Sequence, residues 1–154
     1  MNSTNNPGSF GSARGVSKKI KKDKKRKSSS TRWIGRQIND PYVLETQKRG
    51  YKSRAAFKLL QIDEKYKFLV PGRAVVDLGC APGGWLQIAS QKVCSVVGKE
   101  KVVGVDILPT DDIAGCISIL GDVTNPNIGD ELIKILGCKP DIVLSDMAAN
   151  TTGH

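Results

Sequence analysis

The sequence predicts an α/β fold, in which a doubly wound sheet of parallel strands carries helices on both faces. Two observations predict it. Short apolar runs, typical of buried strands, alternate with segments of helical periodicity between residues 74 and 145. A glycine-rich turn at residues 79–84 joins the first of these strands to the helix that follows it. Only four strands are visible, so we expect the sheet to be incomplete at the C-terminus.

The chain begins with a basic segment, which we expect to be a disordered tail over residues 1–31. Residues 1–37 hold eleven Lys and Arg against one acid, whereas residues 38–154 hold 13 basic and 14 acidic residues. A segment with so few large apolar side chains buries too little surface to offset the entropy of ordering. The clustered cations point to an acidic polymer as partner, because closely spaced phosphates release counterions when they are neutralised.

Two helices are predicted ahead of the first strand. Asp40 has the character of an N-cap, with Pro41 at the first helical position and Gly50 as the stop. A second helix is predicted to begin at Ser53. Its apolar side is formed by Ala55, Ala56, Phe57, Leu59, Leu60 and Ile62. Pro71 and Gly72 then break the chain before the alternating part.

The alternating part supplies the sheet. Strands are predicted over residues 74–78, 101–106, 116–120 and 140–145, with helices at about 84–93 and after Asn125-Pro126. Ligands of open α/β sheets bind beyond the carboxyl ends of the strands, so the turn at residues 79–84 is the natural site. Its glycines lack a Cβ and let the backbone approach a ligand closely.

Three interpretations of the glycine-rich turn are open from its own residues. One is a tight strand-to-helix turn without a ligand. Another is a dinucleotide site, but Ala81 stands at the second glycine of that fingerprint, and Pro82 has no N–H to offer a pyrophosphate. The third is a site for S-adenosylmethionine (SAM), which carries no phosphate and does not need those amides.

Carboxylates at the strand ends favour a ligand site. Asp77 lies in the first strand, and the next three strands end at or near Asp106, Asp122 and Asp146. A carboxylate at Asp106 can accept both hydroxyls of a ribose, and one at Asp122 can accept from an adenine amino group. Any one of them alone is more often a helix cap or a solvated loop acid. Together they indicate a SAM site.

Cysteine and histidine usage argues against a metal site. The four cysteines are well separated and form no C-x-x-C pair, and the one histidine is His154. We therefore expect reduced thiols and no bound metal. No apolar run approaches 18 residues and the N-terminus lacks an apolar secretory segment, so we expect a cytoplasmic protein without a membrane span. We also expect the protein to be a monomer.

Five separated blocks carry a family resemblance. They are Arg32-Trp33, Asp40-Pro41-Tyr42-Val43, residues 51–59, residues 75–85, and Ser145-Asp146-Met147-Ala148-Ala149-Asn150. In this order they closely resemble the RrmJ/FtsJ (RlmE) family, whose members methylate the 2′-hydroxyl of a ribose in large-subunit ribosomal RNA. The resemblance implies that residues 32–154 are the N-terminal portion of a Rossmann-like, doubly wound SAM-dependent methyltransferase domain.

The resemblance also implies site residues. The implied SAM contacts are Gly83, Trp85, Asp106, Asp122 and Asp146. Lys58 and Asp146 match the first two members of a Lys-Asp-Lys-Glu catalytic set, whose other two members lie beyond position 154 in the family. From periodicity alone, Lys58 would be a solvated helix lysine. Within the implied set, Lys58 would position and polarise the 2′-hydroxyl, while Asp146 would hold a lysine.

We therefore expect SAM-dependent 2′-O-methylation of a ribose, that of a uridine, in large-subunit ribosomal RNA. The expected partner is this RNA or the large ribosomal subunit, with Lys52 and Arg54 adding positive charge near the site. The basic tail is interpreted as an RNA-binding arm rather than a targeting segment. The 154 residues alone are expected to bind SAM weakly and without turnover. The alternative is a non-enzymatic RNA- or ribosome-binding protein with a vestigial SAM site.

Overall fold

The computed structural model describes residues 41–148. This part contains α1 (Pro41–Arg49), α2 (Ala55–Tyr66), β1 (Val75–Leu78), α3 (Gly84–Val93), β2 (Val102–Asp106), β3 (Cys116–Leu120), α4 (Ile128–Leu136) and β4 (Ile142–Ser145). Each predicted strand is present within two residues of its predicted bounds. The tail at residues 1–31, the Asp40 cap and the end of the last sequence block, Ala149-Asn150, lie outside the described residues.

The four strands form one parallel sheet in the order β3-β2-β1-β4. The chain moves outward from β1 through β2 to β3 and then returns to the other side of β1 with β4. The strand order therefore reverses between β1 and β4, where Leu78 pairs with Ser145. Such a reversal opens a crevice at the carboxyl ends of the strands. The predicted α/β class with a parallel sheet is confirmed.

Helices cover both faces of the sheet. On one face, Val75, Val102 and Leu144 belong to a core cluster with Leu59 of α2 and with Leu86 and Ile88 of α3. On the other face, Val76, Val103 and Val105 cluster with Ile128, Leu132 and Leu136 of α4. Neighbouring residues of one strand serve opposite faces, as the period of two requires. Burial on both faces accounts for the continuous apolar runs of the central strands β1 and β2.

The second helix begins at Ala55 and not at Ser53, which corrects the prediction. Its N-cap is Arg54, and no side chain caps the helix there. Ser53 instead packs against the glycine-rich turn. Its hydroxyl oxygen is so close to Gly84 that an added Cβ there would lie only 2.3 Å from it. The segment that enters α2 is thereby held at the carboxyl edge of the sheet.

None of the helices within residues 41–148 is long and apolar enough to cross a membrane. In the same part of the chain, no three His, Cys, Asp or Glu side chains are grouped so that they could hold a metal ion.

Candidate functional site

The glycine-rich turn after β1 is closely packed at two positions that require glycine. Gly79 has a φ of +77°, and an added Cβ would lie 2.2 Å from the side chain of Met147, which follows β4. Gly83 has a φ of +106°, and an added Cβ would lie 2.3 Å from the side chain of Ile113, which precedes β3. Both backbone conformations disfavour residues with a Cβ. The turn is therefore enclosed from two sides of the sheet edge.

A cavity of about 280 Å³ lies beside this turn, and we call it the turn cavity. Its lining consists of Ser53, Arg54, Ala55, Asp77, Gly79, Cys80, Ala81, Pro82, Gly84, Trp85 and Asp146. Two of the predicted cofactor residues, Trp85 and Asp146, are among them. The indole Nε1 of Trp85 donates a hydrogen bond to the Ala55 carbonyl at 2.8 Å, which fixes the ring between α2 and α3.

Asp106 stands at the end of β2 and shapes the adjacent part of the edge. Its two carboxylate oxygens accept the backbone N–H groups of Ala81 at 2.8 Å and Leu108 at 2.9 Å. A carboxylate offers about four lone-pair positions, so both oxygens can still accept ligand hydroxyls. Asp106 thus ties the turn to β2 and remains suited to hold a ribose. It is not part of the lining of the turn cavity.

Asp122 lies next to Asp106 along the same edge, because Gly121 donates its N–H to the Asp106 carbonyl at 2.8 Å. One oxygen of the Asp122 carboxylate accepts from the backbone N–H and the hydroxyl of Thr124. These two hydrogen bonds lower the pKa of Asp122. The side chain is consequently an ionised, oriented acceptor at the end of β3.

Asp77 is the buried carboxyl of the site. Its side chain is 1% exposed, and its Oδ2 has no hydrogen-bond partner among the residues that the structure describes. Burial, followed by the charges of Asp106 and Asp146, raises the pKa of Asp77 to about 7. A buried polar atom without a partner is costly and is expected to be satisfied by a ligand or by water.

The raised pKa of Asp77 predicts a particular pH dependence of folding stability. The native state keeps the proton up to about pH 7, whereas the unfolded chain loses it near pH 3.8. The free energy of unfolding should therefore fall as the pH rises from 4 to 7, by up to about 1.4 kcal/mol per pH unit from this group. Urea unfolding of the wild type and of Asp77→Asn over that range measures it. Equal pH slopes in the two proteins would contradict the assignment.

Lys58 and Asp146, the two predicted catalytic residues, form an ion pair. Lys58 comes from the first turns of α2, and Asp146 follows the end of β4. The Lys58 Nζ also lies 5.9 Å from the centre of the Trp85 ring. Their side chains are 57% and 35% exposed, so this pair is accessible from solvent. The fold thus brings together two residues that are 88 positions apart in the chain.

An open cavity of about 410 Å³ adjoins this ion pair, and we call it the helix cavity. Its lining consists of Tyr42, Arg54, Ala55, Phe57, Lys58, Gln61 and Asp146. Arg54, Ala55 and Asp146 also line the turn cavity. The two cavities therefore adjoin along these residues, which include Asp146, the ion-pair partner of Lys58.

Lys52 and Arg54, the predicted RNA-binding residues, lie at different places. The Lys52 Nζ forms an ion pair with Asp111 at 2.7 Å, and its backbone N–H donates to the Gln87 side chain. Lys52 lines another cavity, beside Asp112 and Ile113, away from the Lys58 pair. Arg54 lines both the turn cavity and the helix cavity. The structure therefore brings only Arg54 of these two residues to the cavities around Lys58.

Sequence reasoning assigned no role to Ser53, Tyr42 or Gln61, which line these cavities. Tyr42 and Ser53 fall within the sequence blocks that carry the family resemblance, and this was the available indication. Gln61 follows Lys58 by three positions, a spacing that places two side chains on one face of a helix. Because α2 also buries one face, the spacing alone does not say which face holds the site.

Comparison with known proteins decides the family. The model of the family described as FtsJ-like methyltransferase matches residues 51–154. The chain belongs to the FtsJ-like methyltransferase family. This confirms the family resemblance that the five sequence blocks carry and the methyltransferase class of the fold.

Curated relatives of this FtsJ-like chain are named ribosomal RNA large subunit methyltransferase E. The protein from Paramagnetospirillum magneticum is 51% identical over 153 residues, covering 98% of this chain and 63% of the relative. The protein from Parvibaculum lavamentivorans is 47% identical over 154 residues, covering 96% of this chain and 61% of the relative. The chain thus spans about three fifths of the length of these relatives.

A solved structure is also similar to this FtsJ-like chain. It is the crystal structure of a protein from Plasmodium falciparum described as a ribosomal RNA methyltransferase, with 34% sequence identity and a TM-score of 0.58. The match covers 68% of this chain and 60% of that one. Fold and family therefore agree.

Proposed function

We propose that this FtsJ-like chain carries the cofactor site and part of the acceptor site of an enzyme that methylates a ribose 2′-hydroxyl in large-subunit ribosomal RNA, with SAM as methyl donor. One observation carries the proposal: the Lys58–Asp146 ion pair joins the two cavities, because Lys58 lines the helix cavity and Asp146 lines both. This arrangement allows a methyl donor on one side to face a nucleotide on the other.

The turn cavity fits SAM by its charge. Two carboxylates, those of Asp106 and Asp146, lie in or beside it, together with the buried carboxyl group of Asp77, whose Oδ2 has no partner within residues 41–148. SAM carries an ammonium group and a positively charged sulfonium, which such an environment stabilises. A pyrophosphate would be repelled there, and this disfavours the dinucleotide interpretation of the turn.

We assign the remaining cofactor contacts along the carboxyl edge of the sheet. Asp106 would hold the ribose hydroxyls, and Asp122 would accept from the adenine amino group. Gly83 and Trp85 complete the set, Gly83 by its close backbone approach and Trp85 by the ring that closes the cavity. When bound, SAM supplies a methyl group that its sulfonium sulfur activates toward an oxygen nucleophile.

The acceptor hydroxyl is oriented by Lys58. Its ammonium group can donate a hydrogen bond to the 2′-oxygen while Asp146 accepts from the same nitrogen, since an ammonium has three donors. A donor held in advance at a reacting oxygen acts by orientation and by electrostatic stabilisation. Asp146 thereby positions Lys58 and lines the cofactor cavity as well.

Ribosomal RNA is the proposed partner. The relatives described above bear the name of a large-subunit ribosomal RNA methyltransferase. The chain has a formal net charge of +9, and residues 1–37 hold eleven of its 24 Lys and Arg. This segment would act as an arm that binds phosphates without sequence preference, and Arg54 would add charge at the cavities. We propose a uridine as the acceptor nucleotide and the cytoplasm as the compartment.

The test is methyl transfer by the full-length protein to large ribosomal subunits from a strain that lacks this activity. Tritiated SAM provides the label, and nuclease digestion with mass spectrometry locates the methyl group. We expect one 2′-O-methylated nucleotide in large-subunit RNA. A protein that binds both SAM and RNA but transfers no methyl group would contradict the proposal and support a binding role, and a methyl group found on a base would contradict the acceptor assignment.

A further inference from the structure

The helix cavity is lined by an aromatic side chain, Tyr42, and an amide side chain, Gln61. Neither has a role in orienting the 2′-hydroxyl. Tyr42 stands in the first turn of α1 with 41% of its surface exposed. Gln61 is exposed on α2, and its amide donates a long hydrogen bond of 3.5 Å to the Tyr42 hydroxyl oxygen. Both line the same cavity as Lys58 and Asp146.

We infer that the helix cavity binds the base of the acceptor nucleotide, which stacks on Tyr42 and meets the amide of Gln61 along its edge. The inference rests on the proposed function, because it takes the ribose of that nucleotide to lie at Lys58. The ligand class is an unstacked nucleotide of single-stranded RNA. Such nucleotides are typically recognised by aromatic stacking together with hydrogen bonds to the base edge.

The Tyr42 ring is held in position by its contact with Phe57. The ring contacts Phe57 with centroids 5.6 Å apart and planes inclined by 54°. Phe57 is 7% exposed and also forms a T-shaped pair with Tyr51, with centroids 5.4 Å apart. A ring that one contact orients and that keeps 41% of its surface exposed can stack a base at little cost in side-chain entropy.

The spacing of Gln61 from Lys58 suits a nucleoside. Residues three apart on a helix have Cβ atoms about 5–6 Å apart, on one face. This is comparable to the separation of a ribose from the edge of its own base, so Lys58 at the ribose places Gln61 near the base. A glutamine amide offers one acceptor and two donors, which a base edge can pair with. The cavity of about 410 Å³ also falls in the size range of small-ligand sites.

The test measures RNA binding rather than activity. Binding of a short fluorescein-labelled oligouridine by the 154-residue chain is followed by anisotropy for the wild type, Tyr42→Ala and Tyr42→Phe. We expect about 10-fold weaker binding for Tyr42→Ala and nearly wild-type binding for Tyr42→Phe, because phenylalanine keeps the stacking ring. The basic N-terminal segment is common to all three proteins, and the ratio is measured at high salt, because salt weakens the phosphate contacts of that segment far more than stacking on Tyr42. Tyr66→Ala, at the far end of α2 with 64% exposure, is the matched control and should bind as the wild type does.

A second variant tests the base edge. Gln61→Ala should reduce the differences in affinity among oligouridine, oligocytidine and oligoadenosine, whereas Tyr42→Ala should weaken all three alike. Equal binding by the wild type and Tyr42→Ala, or Tyr42→Phe as weak as Tyr42→Ala, would overturn the inference. SAM titration of each variant distinguishes failure of the base site from failure of the proposed function. Variants that bind SAM normally and RNA as the wild type does refute only the base site. A wild type that binds neither ligand refutes the proposed function as well.

Discussion

Replacing Lys58 by methionine in the full-length protein is expected to lower methyl transfer by about 100-fold or more, with SAM affinity unchanged within about twofold. The loss follows from removing the one donor that we place at the acceptor oxygen, and loss of a donor of this kind costs on the order of 100- to 1,000-fold. Methionine keeps the length of the side chain but donates no hydrogen bond. Single-turnover transfer from tritiated SAM, at saturating RNA, measures the effect.

The Lys58 variant can be interpreted because its ion pair contributes little to folding. With side chains 57% and 35% exposed, the Lys58–Asp146 pair belongs to the class worth about 0–1 kcal/mol. A thermal melt should therefore show a midpoint close to that of the wild type. Lys65→Met, on the same helix beside Tyr66, is the matched control and should keep full activity. Full activity of Lys58→Met would remove Lys58 from the mechanism.

Replacing Asp106 by asparagine is expected to weaken SAM binding by about 10- to 100-fold. The Asp106 carboxylate would accept both ribose hydroxyls, and hydrogen bonds to a charged group contribute about 1.5–3 kcal/mol. Asparagine offers only one acceptor oxygen and no charge. It also turns an NH₂ group toward the backbone N–H of either Ala81 or Leu108, which both donate to Asp106 in the native protein. Calorimetric titration with S-adenosylhomocysteine measures the change.

The control for Asp106 is Asp112→Asn, which removes one carboxylate from the loop that follows β2. Asp112 is exposed and lines cavities on the side of Lys52, away from the turn cavity. Its replacement should leave the affinity unchanged, which separates a contact at Asp106 from a general loss of negative charge. If both variants bind equally well, the ribose contact assigned to Asp106 is wrong.

Much of the sheet was predictable because its strands are short, apolar and bounded by breaking residues. The runs that became β1 and β2 are buried on both faces, so their apolar character is continuous and unambiguous. The start of α2 was predicted two residues early. A serine such as Ser53 favours a helix cap locally, but tertiary packing against Gly84 took precedence.

The site was predictable only in part, because residues far apart in the sequence are brought together by the order of the strands in the sheet. Asp106, Asp122 and Asp146 end parallel strands, and their common edge follows from the fold class. Lys58 has no such pattern, and its importance came from the family resemblance alone. Lys52 and Arg54 line different cavities because they lie in irregular backbone before α2. No helix or strand periodicity predicts side-chain directions in such a segment. The unpartnered oxygen of Asp77 is visible only once the packing around it is known.

The central claim is that the glycine-rich turn and its carboxylates form a SAM site rather than a dinucleotide site. The most direct measurement is calorimetric titration of the 154-residue chain with SAM and, separately, with NAD⁺. We predict saturable binding of SAM at one site per chain, displaced by S-adenosylhomocysteine, and no saturable binding of NAD⁺. Saturable binding of NAD⁺, or the absence of saturable SAM binding by the folded chain, would contradict the account.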